Sequence, residues 1–450
     1  MRHQLSNTRI LGILAFSVLV LIAILSAVYP SSHPVAAVDD IHRGNIAWML
    51  TSSALVLLMT PGLSFFYGGM VGAKNIISTM LQSFVALGLV SFIWFVFGFS
   101  LTFGDSIGGL IGNPFTYAFF NQVGTAPHSV IGAGIPLMLF AIFQMKFAII
   151  TPALITGSFA ERIRFGSYIL FIILFTVVIY CPVAHWMWHP DGWMAKMGAL
   201  DFAGGAVIHL SAGVAALAGA MMLGRREKHQ KDEPHVPSNI PYIILGTGLL
   251  WFGWFGFNAG SSLAANDVAI NAFLSTHMAS AAAMGTWILL DIISNRKPNS
   301  VGACIGAVVG LATVTPAAGY INPTYSILIG VIASVCSFYA VHWKTNAEID
   351  DTLDVFPCHG VGGIVGMLLT GVFATNGGLI TGSFKLLGVQ ALVVLVVGVY
   401  SYLGAWLILK FISFFSPLRV DSADEQIGLD LSQHDETAPE AKIELLAASR

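Results

Sequence analysis

The chain has 450 residues, 56% of them hydrophobic and only 10% charged, with a formal net charge of −3. A soluble globular domain carries about 25% charged residues, so this composition belongs to a polytopic membrane protein, and the small net charge gives no argument for nucleic-acid binding. The 47 glycines suit close helix packing in lipid.

The N-terminus starts with Arg2, His3 and Arg9, followed by an apolar run from Ile10 to Val28 and a small-residue stretch Val35-Ala36-Ala37. This pattern reads as a signal peptide over residues 1–37, cleaved near Ala37. Eleven apolar segments follow, each long enough to cross a bilayer at roughly 20 residues per span. They begin near Asn45, Ile77, Pro136, Phe165, Gly204, Ile240, Ile270, Ser300, Tyr325, Phe356 and Leu386. The expected fold is therefore all-α, with a transmembrane domain over 38–419. The stretch 420–450 turns polar, as in Asp424-Glu425-Gln426 and His434-Asp435-Glu436, and reads as a cytoplasmic, partly disordered tail.

Basic residues set the orientation. One set of alternate loops holds Lys74, Arg162, Arg164, Arg225, Arg226, Lys228, Lys231, Arg296, Lys297 and Lys344, with Lys410 and Arg419 after the last span, whereas the opposite loops hold Lys196 and Lys385, with Arg43 ahead of the first span. The positive-inside rule places the mature N-terminus outside and the C-terminus in the cytoplasm. The polar loop from Gly224 to Ser238 leaves five spans before it and six after. Five spans reverse the topology, so a second related set of five is inverted: a 5+5 pseudo-repeat with a long last helix, a recurring transporter plan.

Two ionisable pairs stand inside apolar sequence. Asp201 precedes His209 in the fifth span, and Asp354 precedes His359 in the tenth. Intramembrane ionisable groups usually face a bundle interior and mark an ion or proton path. The antiparallel spans let the histidines meet near mid-membrane, where a pair of imidazoles can relay a proton. Both aspartates sit where an N-cap is expected. Asp201, about 12 Å outward of His209 at 1.5 Å per residue, would also favour a cation at the outer entrance, while Asp354 reads as a cap alone.

Aromatic residues supply a third element. Phe143 and Phe147 share a helix face by their i, i+4 spacing, Trp186-Met187-Trp188 closes the fourth span, and Trp251-Phe252-Gly253-Trp254-Phe255-Gly256-Phe257-Asn258 lies in the sixth. Aromatic faces attract desolvated cations. Lys146 departs from this pattern, since a fixed cation beside such a face would repel another, and its expected place is off the pore, snorkelling or paired with a carboxylate or carbonyl. His185 and His189 are four apart, but Pro190 and the surrounding tryptophans favour an interfacial helix end over a metal site. The four cysteines are scattered without ligand spacing and read as core residues. No Gly-x-Ser-x-Gly or His-Glu-x-x-His arrangement supports an intramembrane hydrolase, so no enzyme and no cofactor is expected.

The stretches Asp201-Phe202-Ala203-Gly204-Gly205…His209, Gly253-Trp254-Phe255-Gly256-Phe257-Asn258-Ala259-Gly260-Ser261 and His359-Gly360-Val361-Gly362-Gly363 resemble the signatures of the ammonium transporter (Amt/Mep/Rh) family. So do Phe66-Tyr67-Gly68-Gly69, Ala160-Glu161-Arg162 and Thr315-Pro316-Ala317-Ala318-Gly319-Tyr320, with the bacterial Amt branch fitting better than Rh. The resemblance implies a homotrimer in the bacterial inner membrane with one pore per subunit. It assigns Phe143, Trp188 and Ser261 to an ammonium-recruiting vestibule, Phe147 and Phe257 to a stacked gate, and Asp201 to recruitment and deprotonation. His209 and His359 then line an apolar lumen that conducts ammonia, with the proton moving separately. The tail, through Gly428-Leu429-Asp430, resembles the segment by which family members respond to PII signalling proteins.

Overall fold

The structure, a computed structural model, describes residues 2–29, 32–35, 42–132, 134–231 and 235–441. Its elements in chain order are α1 (Arg2–Val28), α2 (Arg43–Met70), α3 (Ala73–Phe103), the two-residue strands β1 (Ser106–Ile107) and β2 (Ile111–Gly112), α4 (Leu137–Phe159), α5 (Phe165–Lys196), α6 (Gly205–Leu223) and α7 (Ile240–Gly260). Then come α8 (Asp267–Ile293), α9 (Ser300–Val314), α10 (Thr324–Asn346), α11 (Phe356–Phe373), α12 (Lys385–Ser413), α13 (Ser422–Ile427) and α14 (Leu429–His434). Ten helices among the described residues are long and apolar enough to cross a membrane. At 15 residues α9 is a shorter apolar helix in the place of the eighth expected span. Every helix from α2 to α12 starts within about four residues of its expected position. The fold is all-helical apart from the β1–β2 pair, which is antiparallel and lies in the α3–α4 connection.

Helix pairings repeat along the chain. α2 packs on α3, α3 on α4 and α4 on α6; in the second half α7 packs on α8, α8 on α9 and α9 on α11. The halves join through α2 against α7 and α6 against α11, and α12 packs across α6 and α11. The α6–α11 crossing is close because it is made by glycines. A Cβ on Gly213 would stand 2.3 Å from the Gly360 Cα, so only a bare backbone fits.

Cleavage near Ala37 falls outside the described residues. Just before it, the Ser32 and Pro34 carbonyls accept the Gln122 and Ala126 N–H groups at 2.8 and 3.0 Å.

One end of the bundle gathers the charged loops. Arg226 is buried, donates from Nη1 to Glu161 Oε2 at 2.6 Å, and grips both Asp350 oxygens from Nε and Nη2 at 2.8 and 2.9 Å. These bonds tie the α4–α5 turn, the α6–α7 connection and the α10–α11 connection into one plate. Burial opposes ionisation of Glu161, but Arg226, His235 and the Gly72 N–H pull its carboxyl down to about 2.

The tail folds onto this plate instead of staying disordered, at least through Ala441. Glu425 accepts from Arg419 at 2.7 Å and from the Glu227 N–H at 2.8 Å. The Leu429 N–H donates to Asn75 Oδ1, and Asp430 Oδ1 accepts the Ser78 N–H, both at 2.8 Å. Its polar composition hid this, because Glu425 and Asp430 each find a specific backbone donor on the loops and helix ends beneath them. Gly428 makes the turn between α13 and α14 with φ +105° and ψ 148°, and a Cβ there would stand 2.6 Å from the Lys74 carbonyl oxygen.

Two predictions follow from this end of the molecule. Gly428→Ala should cost about 1–3 kcal/mol of docking through backbone strain alone, measured as faster proteolysis after Arg419. Glu161→Gln should destabilise the protein by about 3–5 kcal/mol, the cost of breaking a buried pair. Because the folded carboxyl titrates below its ordinary 4.5, its contribution is complete above pH 4.5 and is lost as pH falls through about 2. Thermal unfolding of wild type and variant should therefore differ most at neutral pH and converge in acid.

Candidate functional site: an aromatic vestibule above a histidine pair

The opposite end carries the α3–α4, α5–α6, α7–α8 and α9–α10 connections and a cavity of about 310 Å³. Gln144, Phe147, Trp188, Asp201, Ser261 and Tyr320 are among its lining residues. Asp201 stands directly before α6. Its Oδ1 accepts the Gly204 and Gly205 N–H groups at 2.8 and 2.6 Å, and its Oδ2 accepts those of Ala206 and Val207 at 2.8 and 3.1 Å. One carboxylate thus satisfies four donors that a helix start would otherwise leave orphaned inside the protein. The expected cap is present, and both oxygens are fully engaged by backbone.

That turn also fixes its neighbours. The Trp188 indole N–H donates to the Asp201 backbone carbonyl at 2.9 Å, which sets the Trp188 ring at the cavity wall. The Ser261 hydroxyl donates to the Phe257 carbonyl at 2.8 Å, so its lone pairs remain available as acceptors. From α4 the cavity receives Phe140, Gln144 and Phe147, which share one helix face by their i, i+4, i+7 spacing. Phe143 does not line the cavity. It is completely buried, with its ring 4.8 Å from Phe147 and its edge against Gly260. Gln144 was not singled out from the sequence; its buried Oε1 has no partner among the described residues.

Below the cavity the aromatic rings close the path. Phe147 and Phe257 have ring centroids 4.4 Å apart, and Trp188 meets Phe147 edge-on at 5.9 Å. Beneath them His209 lies 6.0 Å from Phe257 and 5.4 Å from Trp254, both in stacked orientation. His209 and His359 then face each other with Nδ1 atoms 3.2 Å apart and rings nearly parallel. Each is the penultimate residue of a π-helical segment, Gly205–Leu210 in α6 and Phe356–Gly360 in α11. Such single π turns recur at functional sites, and no feature of the sequence announced them. A hydrogen bond between two Nδ1 atoms requires one to donate and the other to accept, so the rings hold complementary tautomers around one shared proton.

Asp354 does not cap α11. It has φ +57°, and its carboxylate turns to Lys344, 2.6 Å away. The cap is Asp351, whose Oδ2 accepts the Phe356 N–H at 2.7 Å. Lys146 is half-buried on α4, outside the cavity lining, and its amine reaches no closer than 3.9 Å to the Met145 sulfur. The carboxylate or carbonyl partner expected for it is absent among the described residues. His185 uses both ring nitrogens, on the Thr102 carbonyl at 2.7 Å and the Ser106 hydroxyl at 2.8 Å, and stacks on His189.

The model of the Ammonium Transporter Family matches residues 47–439. The chain belongs to the ammonium transporter family. It is 44% identical over 406 residues to an ammonium transporter of Bacillus subtilis, covering 88% of this chain and 98% of the relative. It is 42% identical to the ammonium transporter Amt1 of Archaeoglobus fulgidus, covering 88% and 99%. The crystal structure of Saccharomyces cerevisiae Mep2 superposes with a TM-score of 0.81 at 33% identity, covering 86% of this chain and 89% of that one. A structure titled Sensor Amt Protein matches with a TM-score of 0.81 at 30% identity, covering 87% and 98%. This ammonium transporter is a multi-pass membrane protein and not an enzyme.

Because the Lys146 side chain leaves the cavity wall, Lys146→Met should take up labelled methylammonium as wild type does in proteoliposomes.

Proposed function

We propose that ammonium is held in the vestibule, gives up its proton there, and crosses as ammonia through the gate and past the histidine pair. The observation that carries this reading is the 3.2 Å Nδ1–Nδ1 contact of His209 and His359, directly beneath the Phe147–Phe257 stack. The Trp188 face supplies cation–π attraction. Ser261 and Gln144 present oxygen acceptors to the N–H groups of the cation, and Asp201 supplies a fixed negative charge at the same wall. Its four backbone bonds make Asp201 an electrostatic attractor, while Phe143 acts by backing Phe147.

Phe147 and Phe257 are in van der Waals contact, so passage needs their rings to move. Beyond them, aromatic walls offer an intact cation no replacement for its water shell, and a desolvated charge is far costlier than a neutral ammonia. Potassium, which has no proton to release, is excluded on the same ground. The shared His proton gives the released proton its own path: the released proton adds to the bare Nε2 of the ring whose Nδ1 donates, that ring passes its Nδ1 proton to the other Nδ1, and the second ring gives up its Nε2 proton, so both tautomers invert and one charge moves without a cation.

The bacterial Amt branch is supported by the Bacillus subtilis relative. The basic loops of the tail-bearing end support a cytoplasmic position for it and an outer position for the vestibule. Exposed apolar side chains such as Phe252 and Ile270 on α7 and α8 fit burial in lipid or against sister subunits of a homotrimer. The docked tail is the surface through which a PII protein would act.

The experiment is current evoked by ammonium in proteoliposomes, with potassium as control. Wild type should conduct with ammonium and stay silent with potassium. His209→Ala and His359→Ala should each lose the ammonium current; wild-type currents in both variants would reject the relay.

A further inference from the structure

The ring plane of His209 is set by a neighbour on another helix. Trp254 of α7 stacks on His209 at 5.4 Å with 23° between the planes. An indole can swivel about its side-chain bonds, so the stack needs an anchor. The anchor is Thr315, immediately after α9: the Trp254 indole N–H donates to Thr315 Oγ1 at 2.9 Å, and that hydroxyl donates onward to the Leu311 carbonyl at 2.8 Å. Both groups are buried, and Thr315 is fully so. The directions are forced, because an indole nitrogen only donates.

The next residue braces the same histidine from the other side. Pro316 lies against Gly205, where a Cβ would meet its ring at 2.5 Å, and the Pro316 carbonyl accepts the Phe202 N–H at 3.1 Å. Phe202 and Gly205 flank the turn made by Asp201 and lead into the π-helical segment that carries His209. One corner at the end of α9 therefore holds the backbone of His209 through Pro316 and its ring through Thr315 and Trp254.

We propose that Thr315 is a positioning residue for proton transfer: by orienting Trp254 it keeps His209 Nδ1 aligned with His359 Nδ1. This rests on the relay reading above. A proton shared over 3.2 Å tolerates little rotation of either ring, and small misplacements of reacting groups cost large factors in rate.

The test uses the full-length protein in proteoliposomes and measures two quantities together, charge moved and labelled methylammonium taken up. Thr315→Val keeps the shape and removes the acceptor. Charge moved per substrate should fall by on the order of tenfold while substrate affinity at the vestibule stays at the wild-type value. Thr315→Ser restores the acceptor and should restore the ratio. If Thr315→Val does not fold, Trp254→Phe carries the test, since it keeps an aromatic ring and deletes the N–H that Thr315 accepts; the same fall is expected. A wild-type ratio in Thr315→Val, or a ratio that Ser fails to restore, overturns the proposal. His209→Ala run alongside separates the two readings: if it too keeps the wild-type current, the relay itself has failed, and if it alone loses current, only the role of Thr315 has.

Discussion

A carboxylate buried at the head of α6 organises the pore end of this molecule. Asp201 accepts four backbone N–H groups, and in a non-aqueous interior nothing else is at hand to satisfy them. The turn it stabilises presents a carbonyl to Trp188 and opens the π-helical segment that delivers His209 to the axis. Vestibule wall and lumen histidine are thus two consequences of one capped turn, which is why recruitment and proton transfer lie so close together.

The two ends of the bundle solve the problem of charge differently. At the tail-bearing end Arg226 pairs with both Glu161 and Asp350 within bonding distance, and Asp430 of the tail accepts a backbone N–H from α3. These bonds knit that end into a plate. At the vestibule the only carboxylate is satisfied by backbone dipoles, with no basic side chain among the cavity-lining residues, so its field stays directed at whatever cation enters. Below it, stacked aromatic rings lead to the hydrogen-bonded pair His209 and His359. The sequence of attraction, exclusion and neutral passage follows from these three environments in order.

Much of the fold was legible in the chain. Apolar run length located α2 to α12 because in lipid a spanning segment must be long, apolar and helical. Asp201 as a cap and the meeting of His209 with His359 were readable from spacing and from antiparallel span direction. Asp354 was misread because its position before α11 satisfies the same rule as a cap; the choice between Asp351 and Asp354 turns on a left-handed residue and on Lys344, from a different helix. The docking of the tail through Ala441 was not legible, because composition records polarity and not whether a polar group has a partner.

The sequence by itself determined what is periodic or local: the spans, the loop charges, the residue types fit for cation attraction and proton exchange. The tertiary structure alone decided what depends on distant groups meeting. It chose Gln144 over Phe143 for the cavity wall, turned Lys146 away from it, and set the histidine rings through Trp254 and Thr315. Each is a matter of rotation about a helix axis or a side-chain bond, and such angles are set by packing between elements far apart in the chain.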